Sequence, residues 1–324
     1  MKPTRLFGAT LAALALAMPG LAAAQPYPAK PVRLIVTFAA GGGTDVVART
    51  VAPKLGEALG QPIVVENRAG ANGAVGAEAG AKSAPDGYTL IVGAAGTLVV
   101  APHLGTKIPF DTFKDFAPVS LLVTSPFIVT LNPSVQAGSI RELIALAKAN
   151  PGKINFGSSG TGGAPQLAAE LFKSLAGVNM VHVPYKGLGP AITDLLGGQI
   201  QVVFADVGLV TSHIQGGKLK GLAITSAARL STLPDLPTVA ESGVPGYAAG
   251  TWYGVLAPAA TPAPVVSRLS EELRKVLALP EIRASFASQG VEPAGNTPEQ
   301  FTAFLRDENA KWGKVIRDAG IKAE

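Results

Sequence analysis

RLIVTFAAGGGTD (residues 33–45) places an apolar run directly before three consecutive glycines and a Thr-Asp pair. The run predicts a strand, and the pair predicts the first turn of a helix through Val47, Val51, Leu55 and Leu59. Glycine has no Cβ, so it accepts positive φ and lets a ligand approach the backbone. The first turn of a helix carries unpaired N–H groups and the positive end of the helix dipole. The stretch therefore predicts an anion-binding corner at the carboxyl end of a strand.

The same order of strand, glycine-bearing corner and helix recurs along the chain, with further corners at residues 67–73, 94–97 and 157–163. This recurrence predicts an α/β fold with a parallel, doubly wound sheet. A long β-like segment at 116–131 is broken by Ser125-Pro126, as expected where a chain passes between domains. We predict one domain from residues 25–124 with 245–324 and a second from 125–244, the chain closing with two amphipathic helices.

The first 24 residues have the features of a secretory signal peptide. Lys2 and Arg5 precede an apolar run at 6–16, and Ala22-Ala23-Ala24 forms an A-x-A cleavage site. The run is too short for a stable membrane span. We therefore expect export of a mature chain that begins at Gln25.

Composition excludes several classes of function. The chain has no cysteine, which excludes thiolate nucleophiles and sulfur-ligated metals, and its three histidines stand far apart without a metal-binding spacing. The formal net charge of +5 comes without a Lys/Arg block, so a nucleic-acid partner is not expected. We predict neither a metal nor a cofactor.

Catalytic motifs are missing from the sequence. Ser158 and Ser159 lack the glycine offsets of a nucleophile elbow, and no glycine loop has the pattern of a nucleotide site. Asp45 and Asp206 each stand where a helix begins, so capping is favoured over a pair of catalytic carboxylates. An exported protein with two facing glycine corners favours a solute-binding protein with a small organic acid in the interdomain cleft. A secreted hydrolase or isomerase using Asp45 or Asp206 with Ser158 is the alternative.

Six motifs then stand in order across nearly the whole mature chain: GGGTD (41–45), GQPIVVENR (60–68), PDGYTL (85–90), HVPYKG (182–187), LPDLPT (233–238) and WYGVLAP (252–258). With these motifs the chain resembles the Bug family, the periplasmic solute receptors of tripartite tricarboxylate transporters. The resemblance implies a two-domain periplasmic-binding-protein architecture of the type II, Venus flytrap kind, with the ligand cleft between two doubly wound sheets. It also implies a periplasmic monomer that binds a mono- or dicarboxylate, an amino acid or a related compound, and that works with membrane permease subunits or with a membrane sensor.

The family grips a ligand carboxylate with two loops, through backbone amides, hydroxyls and water. Carried over to this chain, and extended by two less specific strand ends, the resemblance implies a ligand-binding set of Phe38, Gly42, Gly43, Thr44, Asp45, Ala95, Gly96, Thr97, Ser158, Ser159, Gly160, Thr161 and Asp206. The chain departs from the family at residues 37–40, which read TFAA where a proline-rich segment is usual, and at Gln166, where many members have histidine. We expect the second change to remove a polar contact. Lys186 and Arg68 either face the cleft as counter-charges or brace the structure, and bracing is favoured.

Overall fold

The computed structural model describes residues 27–105, 107–185 and 187–322. The predicted signal peptide lies outside these residues, and so does Lys186. The described strands are β1 Val32–Val36, β2 Ile63–Asn67, β3 Thr89–Ala94, β4 Phe116–Leu131, β5 Asn155–Ser158, β6 Val181–Pro184, β7 Val202–Asp206, β8 Lys220–Ile224, β9 Gly250–Pro258 and β10 Glu292–Pro293.

The helices alternate with the strands in the first two thirds of the chain and follow one another at its end. They are α1 Gly43–Leu59, α2 Ala74–Ala81, α3 Ile140–Ala149, α4 Ala164–Ala176, α5 Leu188–Leu196, α6 Val207–Gln215, α7 Ala263–Ala278, α8 Pro280–Gln289 and α9 Pro298–Ala319. A short π-helical turn, Gly96–Val100, follows β3. None of the helices that the structure describes combines the length and apolar character needed to cross a membrane.

Two parallel three-stranded units form the outer parts of the sheet. In the first half β2, β1 and β3 lie side by side, with Leu34 of β1 between Val65 and Leu90. In the second half β7, β5 and β6 are parallel in the same manner. Each unit has helices after its strands, so the carboxyl ends of the strands and the starts of the helices face the same way. The predicted α/β, doubly wound organisation is confirmed.

The 16-residue strand β4 connects the two units. It pairs antiparallel with β9 from Phe116 to Pro126, and with β7 from Phe127 onward. β4 thus changes its pairing partner from β9 to β7 directly after Ser125-Pro126, the dipeptide at which we predicted that the chain passes between domains. The strand itself continues through that dipeptide. The exact domain bounds stay a prediction.

Helix α1 shows how the apolar pattern holds an element against the sheet. Val47, Val51 and Leu55 are almost fully buried. Burial of such side chains stabilises the fold by roughly 1.5–3 kcal/mol each. The helix ends at Gly60, whose φ of 74° places it in the left-handed region that glycine adopts at least cost. This packing fixes the position of the helix N-terminus at the glycine corner.

Two sequence-based expectations about the fold are corrected. The central strands β4 and β9 run antiparallel to their neighbours, because each passes from one half to the other rather than following a crossover helix. Three helices, not two, close the chain: α8 was missed because only Ile282 and Phe286 of its residues are buried, which is too few for a visible stripe.

Candidate functional site

A cavity of about 460 Å³ lies between the two halves, at the carboxyl ends of the strands. Its walls come from both halves, and its lining combines glycines and hydroxyls with apolar side chains. The lining residues are Phe38, Gly42, Gly43, Thr44, Asn72, Ala94, Gly96, Phe127, Ser159, Gly162, Gly163, Ala164, Pro165, Leu188, Gly189, Asp206, Leu209, Thr251 and Tyr253. A larger groove of about 700 Å³ runs along α1 and β2, away from the glycine corners.

The N-termini of four helices converge on this cavity. Gly42 and Gly43 begin α1, residues 163–165 begin α4, Leu188 begins α5, and Asp206 precedes α6. Each first turn carries unpaired N–H groups and the positive end of a helix dipole. The cavity therefore favours a negatively charged group without any lysine or arginine among the described lining residues.

The first corner is held in shape by the carboxylate of Asp45. Its Oδ2 accepts the Gly41 amide at 2.9 Å, and its Oδ1 accepts both Arg49 Nε and Asn67 Nδ2 at 2.9 Å. Asn67 also donates to the Phe38 carbonyl at 3.1 Å. Burial alone would raise the pKa of Asp45, but the hydrogen bonds from Arg49, Gly41 and Asn67 lower it, so the carboxylate stays ionised. Asp45 thus ties the glycine loop to α1 and β2.

The predicted capping roles of the two aspartates are wrong in detail. Gly42 is the N-cap of α1, and Asp45 is the third residue of that helix. Asp206 does occupy the N-cap position of α6, but its side chain makes no capping hydrogen bond. The Asp45 carboxylate is taken up by Gly41, Arg49 and Asn67, whereas the Asp206 carboxylate lies against the cavity instead of turning back to the helix.

Gly43 and Tyr253 are in close contact at the start of α1. A Cβ on Gly43 would lie 2.6 Å from the Tyr253 Oη, so only glycine leaves the phenol its place. Thr44, the next residue of α1, lines the same cavity as this phenol. Burial, together with the nearby Asp206 carboxylate, raises the pKa of Tyr253 to about 12, so the phenol is a neutral hydrogen-bonding group. Strand β9 thereby brings a polar side chain to the first corner.

The corner after β2 contributes Asn72 in a strained conformation. Asn72 has a φ of 51° and the preceding Ala71 a φ of 45°, both in the left-handed region that non-glycine residues rarely adopt. The Thr97 hydroxyl donates to the Asn72 carbonyl at 2.8 Å and so holds this turn against the π-helical turn. Backbone strain of this kind is concentrated at ligand sites. The Asn72 side chain lines the cavity beside Gly96.

The second corner, residues 157–163, is organised by a buried hydrogen-bond chain. Gln166 Oε1 accepts the Gly162 amide at 2.7 Å, and Gln166 Nε2 lies 3.1 Å from His182 Nδ1. His182 Nε2 lies 2.6 Å from Ser158 Oγ, which is also 3.1 Å from the Gly160 carbonyl. Glutamine at position 166 therefore keeps polar contacts within the protein, because its amide bridges the loop and the imidazole, and the expected loss of a contact at the ligand stays a prediction.

The direction of these hydrogen bonds is opposite to that of a catalytic serine. Because Gln166 Oε1 accepts from Gly162, its NH₂ group donates to His182 Nδ1, and the imidazole proton lies on Nε2. That proton is donated to Ser158 Oγ, whose own hydrogen goes to the Gly160 carbonyl. A general base would have to accept the serine proton instead. Ser158 is also fully buried, so this cluster shapes the loop and does not present a nucleophile.

Asp206 differs from Asp45 in having no hydrogen bond or ion pair with any described residue. It ends β7 opposite Phe127 of β4 and lines the cavity. Burial raises the pKa of its carboxyl to about 6. A carboxylate without a partner is costly to bury, so it is a candidate for contact with a bound molecule.

The structure brings together part of the predicted ligand-binding set. Seven predicted residues line the cavity: Phe38, Gly42, Gly43, Thr44, Gly96, Ser159 and Asp206. The other six are not among its lining residues: Asp45, Ala95, Thr97, Ser158, Gly160 and Thr161. Among these, Asp45, Thr97 and Ser158 make the supporting hydrogen bonds described above. That the residues of this set bind a ligand stays a prediction.

Sequence reasoning missed several lining residues. Tyr253 and Phe127 lie on the antiparallel strands β9 and β4, whose place beside the corners was not predicted. Leu188 and Leu209 read as ordinary helix residues. Asn72 could have been found, because it stands in a recognised glycine-bearing corner. Arg68 does not line the cavity and pairs with Glu66 at 2.6 Å, in agreement with a bracing role.

Comparison with known proteins gives one family. Residues 47–321 match the family described as the tripartite tricarboxylate transporter family receptor. The protein BugT of Bordetella pertussis is 39% identical over 326 residues, which cover 99% of both chains.

Solved structures of similar proteins share the fold. An R. palustris protein solved with adipate is 34% identical, with a TM-score of 0.77 over 91% of this chain and 99% of that one. MatC from Rhodopseudomonas palustris, solved with bound malate, is 32% identical, with a TM-score of 0.72 over 90% of this chain and 100% of that one.

Proposed function

The chain belongs to the tripartite tricarboxylate transporter receptor family, to which the Bug receptors belong, and we propose that it captures a small carboxylated metabolite in the cavity between its halves. The predicted resemblance to the Bug family is confirmed. Adipate and malate, the compounds bound by the two similar proteins, are both small carboxylates. The chemical class of the ligand follows from these relatives together with the cavity.

The convergence of helix N-termini is the observation that carries the proposal. Amides of the first turns of α1 and α4, with the hydroxyls of Thr44 and Ser159, offer donors to one carboxylate from both halves of the protein. Charge-assisted hydrogen bonds contribute roughly 1.5–3 kcal/mol each. Five or six of them, less the cost of association and ordering, give a binding free energy of about −8 kcal/mol, which corresponds to a micromolar Kd. No arginine is needed for such an affinity.

We propose that binding closes the two halves over the ligand. The chain crosses between them in β4 and β9, near Pro126 and Gly250, so the connection is narrow at the cleft. A ligand that contacts both halves stabilises the closed form by its differential affinity, and a few kcal/mol are sufficient. Closure would bring Ser159 of the second half toward Gly43 of the first.

The receptor family and the second corner both argue for binding without turnover. The family is one of receptors, and the Ser158 hydroxyl donates its proton to a carbonyl rather than to His182. We propose that the protein releases its ligand unchanged to membrane transporter subunits. The proposal includes a periplasmic monomer, exported with the signal peptide at residues 1–24.

A thermal-shift panel tests the proposal. The panel holds aliphatic mono- and dicarboxylates and amino acids, with the primary alcohols of the same chain lengths as controls without a carboxylate. At a ligand concentration of about 100 times Kd, binding adds about 2.7 kcal/mol to the free energy of unfolding. We expect at least one acid to raise the melting temperature by roughly 5 °C, without change to the acid, and the alcohols to have no effect. An absence of any shift across the panel refutes the proposed function.

A further inference from the structure

Asp206 brings a negative charge to the cavity, and a ligand whose only charged groups are carboxylates would be repelled by it. It is the only residue with a carboxylate or a cationic side chain among the described residues that line the cavity. No described lysine, arginine or histidine pairs with it, and its side chain does not cap α6. The carboxylate is therefore available to a group brought by the ligand.

The cavity consequently offers both hydrogen-bond donors and one negative charge to a bound molecule. The first turns of α1 and α4 present N–H groups to it. Asp206, at the end of β7, presents a carboxylate to the same cavity. Apolar side chains, among them Phe127 and Leu188, complete the lining. A ligand with a positive and a negative end matches this distribution.

We propose that the captured metabolite pairs its carboxylate with an ammonium group, and that Asp206 is the acceptor of that ammonium group. This inference rests on the proposed function, because it assumes that the helix N-termini hold the carboxylate. It narrows the ligand from carboxylates in general to amino acids and other amino-carboxylates.

Coulomb's law supports this choice over a dicarboxylate. Two like charges about 6 Å apart, at an effective dielectric constant of about 20, repel by an amount that weakens binding roughly 100-fold. An ammonium group at the position of the second carboxylate is attracted to Asp206 by a comparable energy. A dicarboxylate therefore binds well only when Asp206 is protonated.

Among the described residues that line the cavity, Asp206 is the only group that titrates near neutral pH. Strand β9 presents the Tyr253 phenol, which is neutral below about pH 12, and β4 presents Phe127. Helix α1 presents the Thr44 hydroxyl. Since burial raises the pKa of Asp206 to about 6, its charge is present at pH 7.5 and largely absent at pH 5. Amino-carboxylate binding should weaken, and dicarboxylate binding should strengthen, as the pH falls through 6.

The experiment compares matched pairs of ligands by isothermal titration calorimetry. Each pair exchanges a terminal ammonium group for a carboxylate on the same carbon chain: β-alanine with succinate, and 4-aminobutyrate with glutarate. Titrations are made at pH 7.5 and pH 5 with the wild-type protein, with Asp206→Asn, and with Asp318→Asn as a control. Asp318 is exposed on α9 and pairs with Lys314, far from the lining residues.

For at least one pair we expect the amino-carboxylate to bind wild type tenfold or more tightly at pH 7.5, and the preference to shrink or reverse at pH 5. Asp206→Asn should lose the preference at both pH values, whereas Asp318→Asn should keep it. A wild-type preference for the dicarboxylates at pH 7.5 overturns the inference and leaves the proposed function standing. An unchanged preference in Asp206→Asn also overturns it. Failure of every compound to bind any of the proteins overturns the proposed function itself.

Discussion

Replacing Gly43 by alanine tests whether the start of α1 belongs to the ligand site. The new Cβ would lie 2.6 Å from Tyr253 Oη, whereas ordinary contacts begin near 3.4 Å, so the phenol must retreat by about 0.8 Å. That movement displaces a side chain that lines the cavity beside Gly43. The φ of Gly43 is not in the left-handed region, so alanine should not strain the backbone. The effect of the substitution should therefore be local.

The expected magnitude follows from the groups that move. The overlap between the new Cβ and the phenol lowers the free energy of unfolding by about 1–3 kcal/mol. Displacement of one donor from the ligand carboxylate weakens binding by roughly 1.5–3 kcal/mol, which is about 10- to 100-fold in Kd. Gly43→Val, with two further methyl groups, should abolish binding while the fold persists. In both variants the loss of binding is caused by the displaced Tyr253 phenol rather than by a methyl group in the path of the ligand.

A double-mutant cycle isolates this cause. In Tyr253→Phe the Oη is gone, and the nearest ring atom would lie 3.3 Å from the new Cβ. Titration of the most stabilising acid of the panel should then show a large loss for Gly43→Ala in the wild-type background and little loss in the Tyr253→Phe background. Gly197→Ala is the control, since its Cβ would meet only ordinary contacts, with the Thr193 carbonyl at 3.5 Å and the Asp194 carbonyl at 3.8 Å. Equal losses in both backgrounds, or no loss in either, would show that the Tyr253 phenol does not transmit the effect of the new Cβ.

Three further predictions concern stability and optical readout. Asp206→Asn should stabilise the protein by up to about 3 kcal/mol at pH 8, because a folded-state pKa raised to about 6 makes the ionised carboxylate destabilising above that pH. In urea unfolding this gain should fade as the pH drops from 6 to 4, and a gain that is independent of pH would contradict it. Glu308→Ala should lower the free energy of unfolding by roughly 2–5 kcal/mol, since Glu308 Oε2 accepts the indole N–H of both Trp252 and Trp312, at 2.9 and 2.8 Å, and two buried donors would be left unpaired. Chemical denaturation measures this loss, and Glu308→Gln, which keeps an acceptor, should lose less. Tryptophan fluorescence should change when the ligand binds, because Trp252 is the neighbour of the cavity-lining Thr251 on β9, and an unchanged spectrum at saturation would contradict a closure that involves this strand.

Local patterns predicted the parallel units and the first corner well. The apolar stripe through Val47, Val51 and Leu55 and the glycines at 41–43 are short-range signals, and the structure places both as expected. The connection between the halves was harder to predict. The partners of β4 lie more than 70 residues away, in β7 and β9, so nothing local shows that this strand is shared.

Side-chain networks were the least predictable feature. The sequence predicts Asp45 as a helix cap or as a ligand contact, but its hydrogen bonds with Asn67 and Arg49 make it a support of the glycine loop. Gln166 reads as a lost contact, yet it joins Gly162 to His182. In both cases the deciding partner comes from another element, and one sequence does not show which elements meet. Asp206 was predicted to line the site, but its lack of a partner is visible only in the structure.

The most direct test of capture between the two halves is a crystal structure of the protein grown with the acid of the panel that binds most tightly. We expect electron density for that acid in the cavity between the halves, with its carboxylate against the first turn of α1 near Gly43 and against Ser159 of the second half. Density for the acid elsewhere, such as the cavity beside Trp252 and Lys311, would contradict capture between the two halves.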